Sequence, residues 1–216
     1  MAIRFSSPNQ PPPPQPVHII LASQSIGRKQ LLEKLGLRFR VAVARIDEEA
    51  ITDSDPLIML KKRAAAKLAE IIDHPLVYMI KDEAKTIVIA ADSMAILGKK
   101  TFGKSRDREH TKEILKSLMD RTHTFVTAVA IAVLDGGSVK KIWEKQEKTS
   151  VTLRKLNSTE LEQYVTRYDF TRFAAGYALS DTPWDLVTKV DGSYTNVVGL
   201  PFEVLLPILR HIKIIE

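Results

Sequence analysis

The sequence predicts an α/β fold, on three observations. Apolar, β-branched runs at 17–22 and 86–91 have the length and character of buried strands. Leu31, Leu32 and Leu35, and again Ile114, Leu115 and Leu118, recur at helical spacing. Two longer strand-like segments at about 124–134 and 139–153 flank Asp135-Gly136-Gly137, a hairpin signal.

Residues 1–16 are dominated by Ser, Asn, Gln and Pro, with Pro11 through Pro14 consecutive. Without apolar periodicity they are expected to form a disordered or polyproline tail ahead of one domain spanning 17–216. After the strand at 17–22, Ser23-Gln24-Ser25 offers capping oxygens for a helix that Gly36 closes. Phe39, Val41 and Val43 alternate as in a half-exposed strand, and Pro56 opens a helix running to about residue 72. A connection at 73–85 leads to the run at 86–91, apolar on both faces and so expected mid-sheet, ending at Asp92. Ser105 is the expected cap of the helix carrying Ile114, Leu115 and Leu118, with Asp107 and Glu109 in its first turn. Beyond the hairpin, Asn157 and Glu160 are spaced as a capping box for a helix to about Arg167. A last helix begins at Pro201 and carries Leu205, Leu206 and Leu209. The sequence has no internal repeat.

A chain of 216 residues with 44% hydrophobic content can bury one sizeable core. Cysteine is absent, which excludes a disulfide framework, a thiolate metal site and a thiol nucleophile, and fits a reducing cytosol. The excess of 32 Lys+Arg over 26 Asp+Glu, a formal net charge of +6, favours anionic partners. No apolar run approaches the roughly 20 residues needed to span a bilayer, and the first residues lack the apolar stretch of a signal peptide. A cytoplasmic protein with no membrane partner is therefore expected.

A carboxylate at the end of a buried central strand sits where α/β sheets place ligand crevices, and Asp92 has that expected position. It is equally read as a metal or water ligand and as an Asx turn that merely ends the strand. The turn from Ser23 to Lys29 combines hydroxyls, a helix start and basic side chains, which suits a triphosphate cradle as well as an ordinary cap. Gly103-Lys104-Ser105 lacks the earlier glycine of a P-loop, and the histidines form no HExxH zinc signature. His123 reads as structural support. Aromatic content of 6% with no interleaved basic stripe argues against a single-stranded nucleic-acid binder.

Taken in order, the segments resemble the Maf family of nucleotide pyrophosphatases from about Val17 to Leu209. The matches are Leu21-Ala22-Ser23-Gln24-Ser25 with Arg28 and Leu31-Leu32, then Asp47-Glu48, Lys67, Ala91-Asp92-Ser93 and Gly103-Lys104. They continue with Arg121-Thr122-His123-Thr124 and Thr127, and close with the segment from Gly192 to Pro201. The resemblance implies a Maf/ITPase-like mixed sheet bent into two lobes with a nucleotide cleft between them, a divalent cation, Mg²⁺ or Mn²⁺, and often a homodimer. It implies hydrolysis of nucleoside triphosphates to monophosphate and pyrophosphate, clearing non-standard or surplus nucleotides. Ser23, Ser25 and Arg28 would then face the phosphates, and Glu48, Lys67 and Lys104 would line the cleft. Asp92 would be the principal acidic catalyst, helped by Lys67 and Lys104. It would share the metal with Glu48, Asp47 being the fallback.

Four departures bear on this, one being Ser105 where the family has proline after Lys104. Where many members have Pro-Arg-Arg after the second serine, this chain has Ile26-Gly27-Arg28, so one expected arginine is missing, with Lys29 the nearest substitute. Ser93 replaces the usual threonine and keeps the hydroxyl. The glutamine of the late Gly-rich segment falls at about Ser180, which puts the usual thymidine and uridine triphosphate preference in question. A non-catalytic nucleotide sensor on the same fold is the rival reading. Deleting residues 1–16 is expected to leave melting temperature and nucleotide turnover nearly unchanged, because the segment has no apolar stripe to bury. A loss of many degrees in a thermal melt would show instead that it docks on the domain.

Overall fold

Two long strands set the frame. In the computed structural model, which describes residues 17–81, 84–179 and 186–216, β5 (Arg121–Asp135) and β6 (Ser138–Leu153) pair antiparallel along almost their whole length. Gly136 and Gly137 join them with φ of 57° and 70°, the positive angles that a two-residue hairpin turn demands and that glycine adopts without strain. β3 (Lys85–Leu97) pairs antiparallel with β5, β1 (Val17–Leu21) lies parallel to β3, and β2 (Arg40–Val41) parallel to β1. β4 (Lys100–Phe102) folds back on the end of β3, and β7 (Val187–Asp191) borders β6. The result is a seven-stranded mixed sheet of order β2-β1-β3-β5-β6-β7, with β4 on β3.

The period-2 pattern of β3 explains why 86–91 is continuously apolar. Val88 and Ala90 face the helix α2 (Pro56–Asp73), whose Leu60, Ala64, Leu68 and Ile71 form its buried stripe. Ile87, Ile89 and Ala91 face the opposite side, where α1 (Ile26–Lys34) and a late helix (Phe202–His211) bring Leu31, Leu32, Leu205 and Leu209. A third apolar cluster gathers at the far halves of β5 and β6, where Phe125, Val151 and Leu153 pack against α3 (Arg108–Leu118) and α4 (Ser158–Arg167). Asp92 lies on the α2 side of β3 between Ala90 and Met94, while on the opposite side the strand passes from the second cluster at Ala91 to the third at Ala95. Among the described residues, no helix is long and apolar enough to cross a membrane.

Two expected boundaries shift. β3 does not stop at Asp92: it runs on to Leu97, because β5 is long enough to keep pairing, with Asp92 opposite Ala128 and Ser93 opposite Thr127. The cap of α3 is Asp107, whose carboxylate accepts the His110 amide at 2.8 Å. Ser105 turns inward instead, its hydroxyl 2.6 Å from that of Thr111. A short helix unforeseen in the sequence, α5 (Tyr194–Val198), precedes the late helix, α6; Ser193 caps it and Gly199 ends it in the left-handed region.

The capping box of α4 is complete. The Asn157 side chain accepts the Glu160 amide at 2.9 Å, and the Glu160 carboxylate accepts the Asn157 amide at 2.8 Å. Asn157→Ala is expected to cost about 1 kcal/mol, which a thermal melt reads as a drop of roughly 2–4 °C for a chain of this size.

Candidate active site

α2 is started by Asp55, whose carboxylate accepts the Leu57 amide at 2.8 Å, and by Pro56 in its first turn. Its apolar stripe pins it to the sheet, and Lys67 flanks that stripe, so its side chain is carried down onto β3 rather than out to water. There the ammonium meets two carboxylates: Asp92 Oδ1 at 2.9 Å and Glu48 Oε2 at 2.6 Å. A lysine this buried is tolerable because the paired negative charges offset the loss of hydration. Asp92 is mostly buried, whereas the Glu48 side chain keeps 44% of its surface exposed. Asp47 is placed differently: its carboxylate accepts the amides of Glu49 at 3.0 Å and Ala50 at 3.3 Å and shapes the turn that presents Glu48.

Arg28, on α1, is buried to 7% exposure. Its Nε donates to the Gly199 carbonyl at 2.8 Å, Nη1 to Ser23 Oγ at 3.0 Å and to the Ala91 carbonyl at 2.8 Å, and Nη2 to Ser93 Oγ at 2.9 Å. Burial lowers its pKa, while the charges of Asp92 and Glu48 pull it back up. The chain of bonds continues inward. Thr127 Oγ1 donates to the Asn196 carbonyl at 3.0 Å, so it accepts from Ser93 Oγ, 2.9 Å away. Asn196 in turn donates its side-chain amide to the Phe125 carbonyl and to Thr149 Oγ1. Gly199, at φ 112°, is needed here: a Cβ would lie 3.3 Å from Arg28 Nε.

Ser23 Oγ also accepts the Ser25 amide at 3.2 Å, and Ser25 Oγ caps α1 through the Arg28 amide at 3.4 Å. Both serines border the cleft. Lys104, beyond β4, reaches the same cleft and makes no ion pair among the described residues. Partial loss of hydration there, followed by repulsion from Arg28 and Lys67, lowers its pKa against the attraction of Glu48 and Asp92.

The cleft so formed has a volume of about 470 Å³, within the usual range for a small-molecule site. It gathers every predicted site residue: Ser23, Ser25, Arg28, Glu48, Lys67, Asp92 and Lys104. Beside these charged groups it is lined by apolar side chains, among them Met59, Phe125, Phe173, Tyr177, Leu179 and Val197. His123 stands buried behind Tyr177. Its Nε2 lies 2.7 Å from the Tyr177 hydroxyl, and burial pushes its pKa down to about 4, so the ring is neutral near pH 7. Sequence reasoning missed Arg63 and Arg172, which also line the cleft. Arg63 had a usable signal, since it stands four residues before Lys67 and so shares its helix face. Ser180 lies outside the described residues.

Residues 18–212 match the family model described as Maf-like protein. The chain belongs to the Maf-like protein family. It is 35% identical over 192 residues to the dTTP/UTP pyrophosphatase of Pelotomaculum thermopropionicum, covering 89% of this chain and 95% of the relative. It is 32% identical over 202 residues to the nucleoside triphosphate pyrophosphatase of Pelagibacter ubique, covering 90% and 98%. A HAM1 protein structure from Coxiella burnetii aligns over 90% of this chain and 99% of its own with a TM-score of 0.44 at 16% identity, a likeness too distant to argue from.

The departure from the common Maf pattern at position 27 has a steric side. A Cβ on Gly27 would lie 2.7 Å from the Val198 carbonyl oxygen and 2.9 Å from Val198 Cγ1. No side chain fits there as α1 and α5 are packed. Lys29 does not replace the missing arginine in the cleft, because it lies on the outer face of α1, 56% exposed and 3.8 Å from Glu33. Gly27→Ala is therefore expected to destabilise the protein by about 1–3 kcal/mol, as overpacking does, and a melting temperature at or above that of the parent would show that Val198 yields freely.

Proposed function

We propose that this chain hydrolyses nucleoside triphosphates to the monophosphate and pyrophosphate. The observation that carries the reading is Asp92, Lys67 and Glu48 converging in one cleft that apolar side chains also line. A polyanion with a planar, weakly polar end matches that mixed lining, and the relatives named above are pyrophosphatases of such substrates.

The residues fit a divalent cation. Asp92 and Glu48 both reach the Lys67 ammonium, so their carboxylates converge on a common region. Among the described residues no group of three or more His, Cys, Asp or Glu stands together. Two carboxylates completed by phosphate oxygens and water is the set that magnesium usually takes. Asp92 and Glu48 would hold Mg²⁺ or Mn²⁺, which when bound supplies Lewis-acid stabilisation of the triphosphate charge.

Asp92 orients the attacking water toward the α-phosphorus, in line with departing pyrophosphate, and can accept its proton. Lys67 fixes the Asp92 oxygen it touches and lends positive charge as the leaving group becomes more negative. Lys104, without a carboxylate partner among the described residues, donates to the phosphates. Arg28 contributes a fixed positive charge beneath the site, its N–H groups being largely taken up by protein acceptors. We assign the work to the cytoplasm and to a homodimer, in keeping with the cysteine-free composition and the family resemblance.

Asp92→Asn keeps size and much of the hydrogen bonding but removes the charge. It should lower pyrophosphate release by roughly 10²-fold or more, at an unchanged melting temperature and with nucleotide affinity far less affected. Equal turnover by the two proteins would remove Asp92 from the mechanism. If the parent binds nucleotide tightly and releases no pyrophosphate with any metal, the sensor reading replaces this one.

A further inference from the structure

We infer that Arg63 is a phosphate-binding residue of this chain, supplying from α2 the planar cation that position 27 cannot carry. The inference rests on the reading of the cleft as a triphosphate site. Its starting point is a shortage of free donors. Arg28 spends four hydrogen bonds on the protein, and Lys67 is held between two carboxylates. Gly27 has no room for a side chain and Lys29 faces away.

Arg63 differs from all of these. It lines the cleft one helical turn before Lys67 and is half-buried. Its Nε donates to the Ile51 carbonyl at 3.1 Å, which fixes the plane of the guanidinium. Both terminal nitrogens are without an acceptor or an ion pair among the described residues. A guanidinium anchored through Nε and open at both Nη groups is the fork that binds phosphate oxygens in pairs. An ordinary solvated arginine on a helix surface has neither the anchor nor a cleft in front of it.

The competing role is a brace. Ile51 closes the turn that begins at Glu48, its amide donating to the Glu48 carbonyl at 3.3 Å, so Arg63 could act only by holding Glu48 in place. Metal-free conditions separate the two, because without a cation a carboxylate repels phosphate and cannot help to bind it. The experiment is calorimetric titration of the full chain with inorganic tripolyphosphate in EDTA, comparing the parent with Arg63→Met, Arg63→Lys and Glu48→Gln, after thermal melts. Arg63→Met should weaken binding about tenfold or more, the loss expected for charge-assisted hydrogen bonds. Arg63→Lys, which keeps the charge without the fork, should fall between it and the parent and carries the test if the methionine variant melts early. Glu48→Gln should bind as tightly as the parent or more tightly. Parent-like affinity in both Arg63 variants overturns the inference, as does a parent that binds no tripolyphosphate without metal. Tripolyphosphate binding that depends on Arg63, in a protein that releases no pyrophosphate from any triphosphate, would sink the proposed reaction and leave this inference standing.

Discussion

A buried guanidinium must find its hydrogen bonds inside the protein, and Arg28 finds them on three separate stretches of chain. Its contacts to Ser23, to Ala91 and Ser93, and to Gly199 tie the start of α1, the middle of β3 and the end of α5 to one rigid plane. Lose any one acceptor and a desolvated charge is left short of a partner, which costs more than an ordinary hydrogen bond contributes. The cleft floor is defined by this requirement. The relay from Ser93 through Thr127 to the Asn196 carbonyl extends it into the sheet, so the late Gly-Ser-Tyr-Thr-Asn segment positions the site without facing the ligand wall itself.

Above that floor the charges are arranged by packing. α2 delivers Lys67 because Leu60, Ala64, Leu68 and Ile71 hold its neighbouring face to the sheet. The ammonium then sits where Asp92 and Glu48 converge, doing for the two carboxylates what a cation would do: screening their repulsion at close range. A divalent ion held as proposed would address the same pair of acids as Lys67. The phosphates of a nucleotide would give Lys67 a second set of acceptors, so that ligand charge and metal charge balance each other within one small volume.

Much of the fold was legible because burial on both faces leaves a strong pattern. The runs at 17–22 and 86–91, the hairpin at Gly136-Gly137 and the capping box at Asn157 and Glu160 each rest on local physics that the tertiary structure does not override. The end of β3 was not legible. Beyond Asp92 the apolar run breaks at Ser93, yet the strand continues because its partner β5 continues, a fact of pairing and not of local preference. Ser105 and Asp107 are both good caps in isolation, and only the inward packing of Ser105 against Thr111 chooses between them. Asp92 was thus reached through an expected strand end, while its actual setting is an unbroken strand crossing the boundary between apolar clusters.

The positions of the cations show why the site was harder to read than the fold. Sequence order suggested that basic residues near Ser25 would carry the phosphate contacts, since they share a helix start. Packing constrains these residues: α5 presses Val198 onto Gly27, Arg28 borders the cleft while most of its N–H groups bond to the protein, and Lys29 turns to solvent. Among the described residues, positive charge with open hydrogen-bonding capacity also stands at Arg63 on α2 and at Lys104 beyond β4. A helix that buries a lysine beside the Asp92 carboxylate carries Arg63 one turn earlier on the same face, so α2 can bring a second cation to the cleft while α1 packs closely against α5 at Gly27. The close packing at Gly27 and the anchored arginine at position 63 are then two sides of one arrangement.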